Sequence, residues 1–345
     1  MLKPFLAILS RGRSLARKEA AEAMGIIMDG GAGEPQIAAF AMALRVKGET
    51  AGEILGCAEA LRARAERVLL APAERRELLD TCGTGGDSLG TINVSTLAAL
   101  AAAAAGVPVA KHGNRAVSGR CGSADLLEAL GVPIDAGPGQ ARDCLRTAGI
   151  AFLFAPRFHP ALRHAASARR ALGVRTVFNL LGPLCNPAGA RLHVMGIFDP
   201  SRARMVAEVL RRLGSRRAFI VHGSDGMDEL TVTGPSLVTR LDKGAVRTTH
   251  VTPESAGLRR WPLAALRGGG PAENASRALA VLEGGRGAAR DVTLLNAAAG
   301  LVVAGAARSL REGAALAAEA IDRGLAGEKL EALRRGLAAP VGGAS

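Results

Sequence analysis

The run Asp80-Thr81-Cys82-Gly83-Thr84-Gly85-Gly86-Asp87 joins a short apolar segment to a glycine-rich turn, which leads through Thr91, Asn93, Val94, Ser95 and Thr96 into an alanine-rich stretch. Clustered glycines let backbone N–H groups approach an anion closely. Asn93, Ser95 and Thr96 are residue types that cap a helix, and the positive end of that helix faces the same oxygens. The letters match neither the dinucleotide-binding fingerprint, whose third glycine is missing, nor the Walker A loop, whose Gly-Lys-Ser/Thr ending is absent. A phosphorylated small molecule, bound in some other way, is the expected ligand.

A second polar run, Lys111-His112-Gly113-Asn114-Arg115-Ala116-Val117-Ser118-Gly119, follows a strand expected at Val107–Ala110 and continues through Gly122 and Ser123 into a helix expected over Ala124–Leu130. Lys111 offers a point charge, Asn114 a donor and an acceptor, and the serines and glycines further anion-facing groups. Two such loops at neighbouring strand ends suit a ligand with separated phosphates. A third run, Val221-His222-Gly223-Ser224-Asp225-Gly226-Met227-Asp228-Glu229, sets three carboxylates after another expected strand. Adjacent Asp228 and Glu229 suit Mg²⁺, a hard cation that takes one or two protein carboxylates and fills its other positions with water and phosphate oxygens.

A fourth run, Arg169 to Pro183, is basic at its start and apolar with a Gly-Pro turn at its end. One of its arginines could clamp a carboxylate bidentately, while Arg170 reads as an ordinary exposed helix residue. His159 and His164 flank Pro160 at a spacing unsuited to one helix face, and no paired metal-binding histidines or Ser/His/Asp arrangement is suggested.

These loops need a scaffold. Short apolar runs at Leu78–Cys82, Val107–Ala110, Ile150–Phe154, His193–Phe198 and Ala218–Val221 alternate with helical patterns, which signals an α/β fold with a mostly parallel central sheet. Ligands of such sheets bind beyond the carboxyl ends of the strands, where the glycine loop falls. Ahead of the sheet, the spacing from Leu2 to about Leu70 is helical, and Pro72 closes that segment. The region from Thr231 to Ala272 reads as a strand pair or a long rim loop; Asp291 to Leu325 is helical, and 339–345 a flexible tail.

With 345 residues, 48% of them apolar, the chain can bury a large core. The run Phe5–Leu9 is too short for a secretory signal, and the longest apolar stretch, Leu97–Ala110, falls short of the roughly 20 residues a membrane span needs. A cytoplasmic location is expected. Five cysteines, widely spaced and never in a C-x-x-C pair, read as reduced thiols. The net charge of +13 is scattered through helices and aromatic residues are only 3%, so neither a basic block nor a base-stacking platform for nucleic acid is indicated.

Taken together, Gly83 to Asp87, the Asn93–Thr96 cap, Lys111 to Asn114, Gly122 to Gly131, Phe178-Asn179-Leu180-Leu181-Gly182-Pro183 and His222 to Glu229 resemble the anthranilate phosphoribosyltransferases. The resemblance runs in order over most of the chain. It implies a small N-terminal helical domain, 1–71 joined by part of 160–190, beside a nucleoside-phosphorylase-like α/β domain over 72–338, and a homodimer formed through the helical part. It implies that Gly83, Gly86, Asp87, Thr91, Asn93, Val94, Ser95, Thr96, Lys111 to Gly119 and Ser123 contact phosphoribosyl pyrophosphate (PRPP). It assigns Mg²⁺ to Ser95, Asp228 and Glu229, and anthranilate to Gly83, Asn114 and Arg169, with Arg169 on the carboxylate. Three departures stand out. Gly119-Arg120-Cys121 replaces an expected Ser and Lys after Ser118, which leaves open the basic residue for pyrophosphate; Met227 and Cys185 replace Leu and Thr with little change of volume. A pyrimidine nucleoside phosphorylase and a nucleic-acid-binding paralogue are the rival readings. The Asp228-Glu229 pair with the complete Phe178–Pro183 segment argues against the first, and the intact motifs against the second.

Overall fold

The computed structural model describes residues 1–116 and 119–338; Val117, Ser118 and the expected tail lie outside the described residues. Four helices open the chain: α1 (Lys3–Leu9), α2 (Arg17–Met28), α3 (Glu34–Lys47) and α4 (Ala51–Ala63). Thr50 starts α4 with a reciprocal cap, its Oγ1 accepting from Glu53 N at 3.2 Å while Glu53 accepts from Thr50 N at 2.8 Å. Pro72 does more than end this segment, because it is the first residue of α5 (Pro72–Glu77), where a proline loses no helical hydrogen bond.

From there strands and helices alternate: β1 (Leu79–Asp80), α6 (Val94–Ala104), β2 (Val109–Gly113), α7 (Ser123–Ala129), α8 (Pro138–Ala148), β3 (Ile150–Phe154), α9 (Ala155–Phe158), α10 (Arg163–Leu172), α11 (Val177–Leu184), β4 (Leu192–Gly196), α12 (Ala203–Arg212) and β5 (Arg217–Gly223). An antiparallel hairpin follows, β6 (Ser236–Asp242) and β7 (Ala245–Val251), then α13 (Pro271–Leu282), α14 (Ala288–Ala304), α15 (Leu310–Asp322) and α16 (Leu325–Ala338). The region with two readings is therefore a strand pair, turned by Lys243 and Gly244 at φ of 49° and 79°, the backbone of a tight hairpin turn. Beyond it the chain returns to the sheet end, where Leu266 O accepts from Ile92 N at 3.0 Å.

The seven strands run β3-β2-β1-β4-β5-β6-β7, parallel from β3 to β5. The strand order reverses at β1, whose two neighbours are β2 and β4; a crevice opens at such a switch point beyond the carboxyl ends. Alternation along β5 divides the core. Ala218 and Ile220 face the side packed with the N-terminal helices, α10, α11 and α12, and Phe219 and Val221 face the side packed with α6 and α14. Alanines make α6 thin enough for close approach, and a Cβ on Gly300 of α14 would meet Leu79 at 2.9 Å, so this layer tolerates no extra methyl group without shifting. Among the described residues, no helix is long and apolar enough to cross a membrane.

Candidate active site

The glycine loop leaves β1 at the switch point and is stitched to the neighbouring strand β4. Thr84 N donates to Gly196 O at 2.9 Å, and Thr84 Oγ1 accepts from Phe198 N at 3.0 Å. A Cβ on Gly83 would lie 3.1 Å from Gly196 O, and one on Gly196 would overlap Asp228 O at 1.6 Å, so the crossing demands glycine at 196. Gly85 and Gly86 adopt φ of 67° and 83°. Asp87 Oδ1 accepts from Leu89 N at 3.1 Å and holds the outgoing bend.

The acidic loop after β5 divides its three carboxylates between two tasks. Asp225 is used within the loop, accepting from Met227 N at 3.1 Å, Thr231 Oγ1 at 2.6 Å and Thr233 Oγ1 at 2.8 Å. Asn296 of α14 anchors the far end, accepting from Leu230 N at 3.0 Å and donating to Leu230 O at 2.8 Å. What remains is Asp228, 8% exposed, whose Oδ2 accepts from Gly85 N at 2.7 Å, and Glu229 against the Ser95 hydroxyl. Loss of water, then the Asp87 carboxylate, raises the Asp228 pKa; loss of water, then Asp228, raises that of Glu229. Three crowded carboxylates and a hydroxyl are hard oxygen donors whose mutual repulsion a divalent cation relieves, so this donor set fits Mg²⁺.

The second loop differs from expectation at its start. Lys111, His112 and Gly113 are the last residues of β2, not loop residues, because a neighbouring strand compensates their polarity. Lys111, 3% exposed, donates from Nζ to Thr81 O at 3.2 Å, and its charge stabilises the carboxylates of both Asp80 and Glu229. His112 N donates to Asp80 Oδ1 at 3.1 Å, and His112 Nδ1 lies 3.1 Å from Gly182 O, which makes it the protonated nitrogen. Asp80, Cys82 and His112 bring three possible ligand atoms within 4.8 Å of one another. They form a hydrogen-bonded knot, since Asp80 also accepts from Cys82 N at 3.1 Å and from Asn186 Nδ2 at 2.8 Å.

Past the strand, Asn114 and Ser123 hold each other: Asn114 N donates to Ser123 Oγ at 3.1 Å, which donates to Asn114 O at 3.2 Å. Ala116 N and Gly122 N both donate to Asp125 Oδ2 at 2.9 Å. Arg115 pairs with Asp125 at 2.9 Å and Glu128 at 2.8 Å, so its charge is already compensated, and Gly119 is exposed. On α6, Asn93 occupies the N-cap position without capping; its Nδ2 donates to Cys121 O at 2.9 Å and its Oδ1 accepts from Asn274 Nδ2 at 2.9 Å. Asn93 thus ties three segments together. Val94 is buried, Thr91 bridges Arg267, and Thr96 turns its hydroxyl into the core, where it lines a small cavity with Lys111 and Phe152.

Arg169 lies over the Phe178 ring, its carbon 5.7 Å from the centroid, and burial lowers its pKa; Arg170 is exposed. The sequence reading gives no individual role to Asp80, Asn186 or Asp125, and Arg175 enters it only among the arginines of the fourth run. Asp80 left a signal, a carboxylate closing an apolar run, and Asp125 bonds within its own loop, whereas Asn186 and Arg175 meet partners distant in sequence, Asp80 and Phe198.

Two family profiles match this architecture, one described as "Glycosyl transferase family, helical bundle domain" over residues 3–65 and one as "Glycosyl transferase family, a/b domain" over residues 75–327. An anthranilate phosphoribosyltransferase of Moorella thermoacetica is 55% identical over 333 residues, spanning 96% of this chain and 97% of that protein. The chain belongs to the anthranilate phosphoribosyltransferase family. A crystal structure of the family from Thermus thermophilus superposes with a TM-score of 0.91 at 47% identity, covering 97% of this chain and 99% of that one. The Saccharomyces cerevisiae member of the family, in complex with PRPP and Mg, gives a TM-score of 0.89 at 28% identity over 97% of each chain.

Proposed function

We propose that this chain transfers the 5-phosphoribosyl group of PRPP to the amine of anthranilate, yielding N-(5-phosphoribosyl)anthranilate and pyrophosphate, a step of tryptophan synthesis. Beyond family membership, the observation that carries this reading is the 2.7 Å bond from Gly85 N to Asp228 Oδ2, which locks an anion-binding loop to a cation-binding one across the switch-point crevice. We assign PRPP to the glycine loop and the α6 N-terminus on one side and to the stretch Lys111 to Gly119, with Ser123, on the other. Asp228, Glu229 and Ser95 hold Mg²⁺, and Asn114 and Arg169 meet anthranilate, with Arg169 facing its carboxylate.

In the reaction the bond from the ribose anomeric carbon to pyrophosphate breaks with its electron pair leaving on oxygen, and the amine nitrogen bonds to that carbon and sheds one proton to water. Mg²⁺, when bound, offsets the charge that builds on pyrophosphate. The chain itself supplies position. Backbone N–H groups of the glycine loop, where Gly85 and Gly86 take φ of 67° and 83°, hold the phosphates, and an ordered amine site sets the nucleophile in line. No protein nucleophile is required.

The five thiols are all free, which supports a reducing, cytoplasmic setting. Ala165, Ala168 and Val177 to Leu184 share a core with α1 to α4, which supports counting α10 and α11 with the helical domain. A homodimer contact through that domain belongs to the same proposal, and the oligomeric state in solution tests it. Loss of anthranilate fluorescence on mixing the protein with anthranilate, PRPP and Mg²⁺ tests the activity. Loss that needs all three supports the reading; persistence of the fluorescence with folded protein contradicts it.

A further inference from the structure

We infer that Arg175 is the cation that receives the pyrophosphate half of PRPP, the role left open by Gly119-Arg120-Cys121 in the second loop; this rests on the transferase reading above. Its guanidinium stacks on Phe198 with its carbon 4.4 Å from the ring centroid. It also covers the glycine loop, since a Cβ on Gly86 would lie 3.3 Å from both Nε and Nη2 of Arg175. Phe198 is itself tied to that loop through its N–H to Thr84 Oγ1, 3.0 Å. The arginine, its aromatic support and the anion loop therefore form one assembly.

Arg175 is held but not neutralised. On one side Gly173 closes α10 at φ 61°, and on the other Thr176 caps α11, its N–H donating to Asn179 Oδ1 at 3.0 Å, so only two residues separate fixed points. Arg115, Arg157 and Arg202 each have carboxylate partners, whereas Arg175 has no ion-pair or hydrogen-bond partner among the described residues. A planar cation pre-oriented by stacking, half-buried, with its donors free, meets phosphate oxygens at low entropic cost. Arg169 on Phe178 is the parallel case one helix away, and the two arginines divide the work: Arg169 takes the carboxylate of the acceptor, Arg175 the departing pyrophosphate. As the anomeric C–O bond breaks, the electron pair moves onto an oxygen within reach of Arg175, so the residue favours the transition state over bound PRPP.

The test uses calorimetric titration of inorganic pyrophosphate with saturating Mg²⁺ into wild type, Arg175→Ala, Arg175→Lys and Arg169→Ala, together with steady-state kinetics. Arg175→Ala is expected to weaken pyrophosphate roughly 10- to 100-fold and to raise the PRPP KM while leaving the anthranilate KM unchanged. Arg175→Lys, which keeps the charge and loses the fork, recovers only part of the affinity, and Arg169→Ala binds pyrophosphate like wild type. Arg175→Gln is the second neutral variant, should the alanine variant fold poorly, and must show the same loss. Wild-type affinity in the neutral variants, or a change confined to the anthranilate KM, overturns the assignment. Wild type that binds no pyrophosphate removes the transferase reading and this assignment with it.

Discussion

Asp80 and Asp228 are both buried carboxylates at the same end of the sheet, 1% and 8% exposed, yet their surroundings follow opposite rules. Around Asp80 every neighbour is a donor: Cys82 N and His112 N at 3.1 Å, Asn186 Nδ2 at 2.8 Å, and the charge of Lys111 close by. Around Asp228 only backbone donors, Gly85 N at 2.7 Å and the residue's own N–H, face two further carboxylates, Asp87 and Glu229. The first cluster uses its polarity to fix β1, β2 and the Asn186 turn against one another. The second crowds carboxylates whose mutual repulsion a proton or a bound cation must relieve. Lys111 stands between them and moderates both.

Removing the acceptor of the first cluster is the largest way to break this contrast. Asp80→Ala leaves three donors and Lys111 without their partner, and is expected to destabilise the fold by about 3–5 kcal/mol, read as a fall in the urea midpoint. In the second cluster the loss is functional: Asp228→Ala with Glu229→Ala should lower kcat at ordinary Mg²⁺ by at least about a thousandfold. Near-normal turnover in that variant removes the metal assignment. Arg169→Ala comes next, raising the anthranilate KM about 10- to 100-fold with little change in the PRPP KM, as expected for a lost carboxylate partner.

Acid sharpens the comparison, because the structural cluster lies among buried neutral histidines. Burial lowers the pKa of His159 to about 4 and of His193 to about 3, and that of His112 well below the usual imidazole range. Unfolded, all three titrate near 6.5, so between pH 6.5 and 4 the unfolded chain binds more protons and stability falls as pH falls. Asp80 acts in the opposite sense. Burial raises its pKa to about 6, so its folded form takes up a proton first and offsets part of the loss. Three histidines outweigh one carboxylate, and the net expectation is a loss of a few kcal/mol between pH 6.5 and 4.5. Urea midpoints in the Asp228→Asn, Glu229→Gln background, where the acidic pair no longer titrates, check it. The smallest effect is expected from Arg115→Ala, whose exposed, solvent-screened pairs with Asp125 and Glu128 should leave the melting temperature nearly unchanged.

The strand register was legible where a run is purely apolar: Ile150–Phe154 is β3 residue for residue. It was not legible at Lys111–Gly113, where a lysine and a histidine sit inside a strand because Asp80, 31 and 32 positions earlier, supplies the compensating charge. A local pattern holds no such information. The same limit explains Arg175, one arginine among many until the fold sets it on Phe198 and Gly86. Conversely, the positions of the glycine turn after β1 and of the acidic turn after β5 were legible, because each is a short contiguous segment directly behind an apolar run. Asp225, equally acidic in sequence, proved to hold its own loop, a difference set by Thr231 and Thr233.

The most direct test of the contrast is the melting temperature of the metal-free Asp228→Asn, Glu229→Gln variant, measured beside its turnover and beside metal-free Asp80→Asn. A charge cluster kept for its ligand predicts that the double variant melts at or above wild type, with Mg²⁺ and PRPP no longer raising its Tm and with turnover lost, while Asp80→Asn melts lower. A double variant that melts as low as Asp80→Asn would contradict the account, because the acidic pair would then hold the fold together rather than wait for a cation.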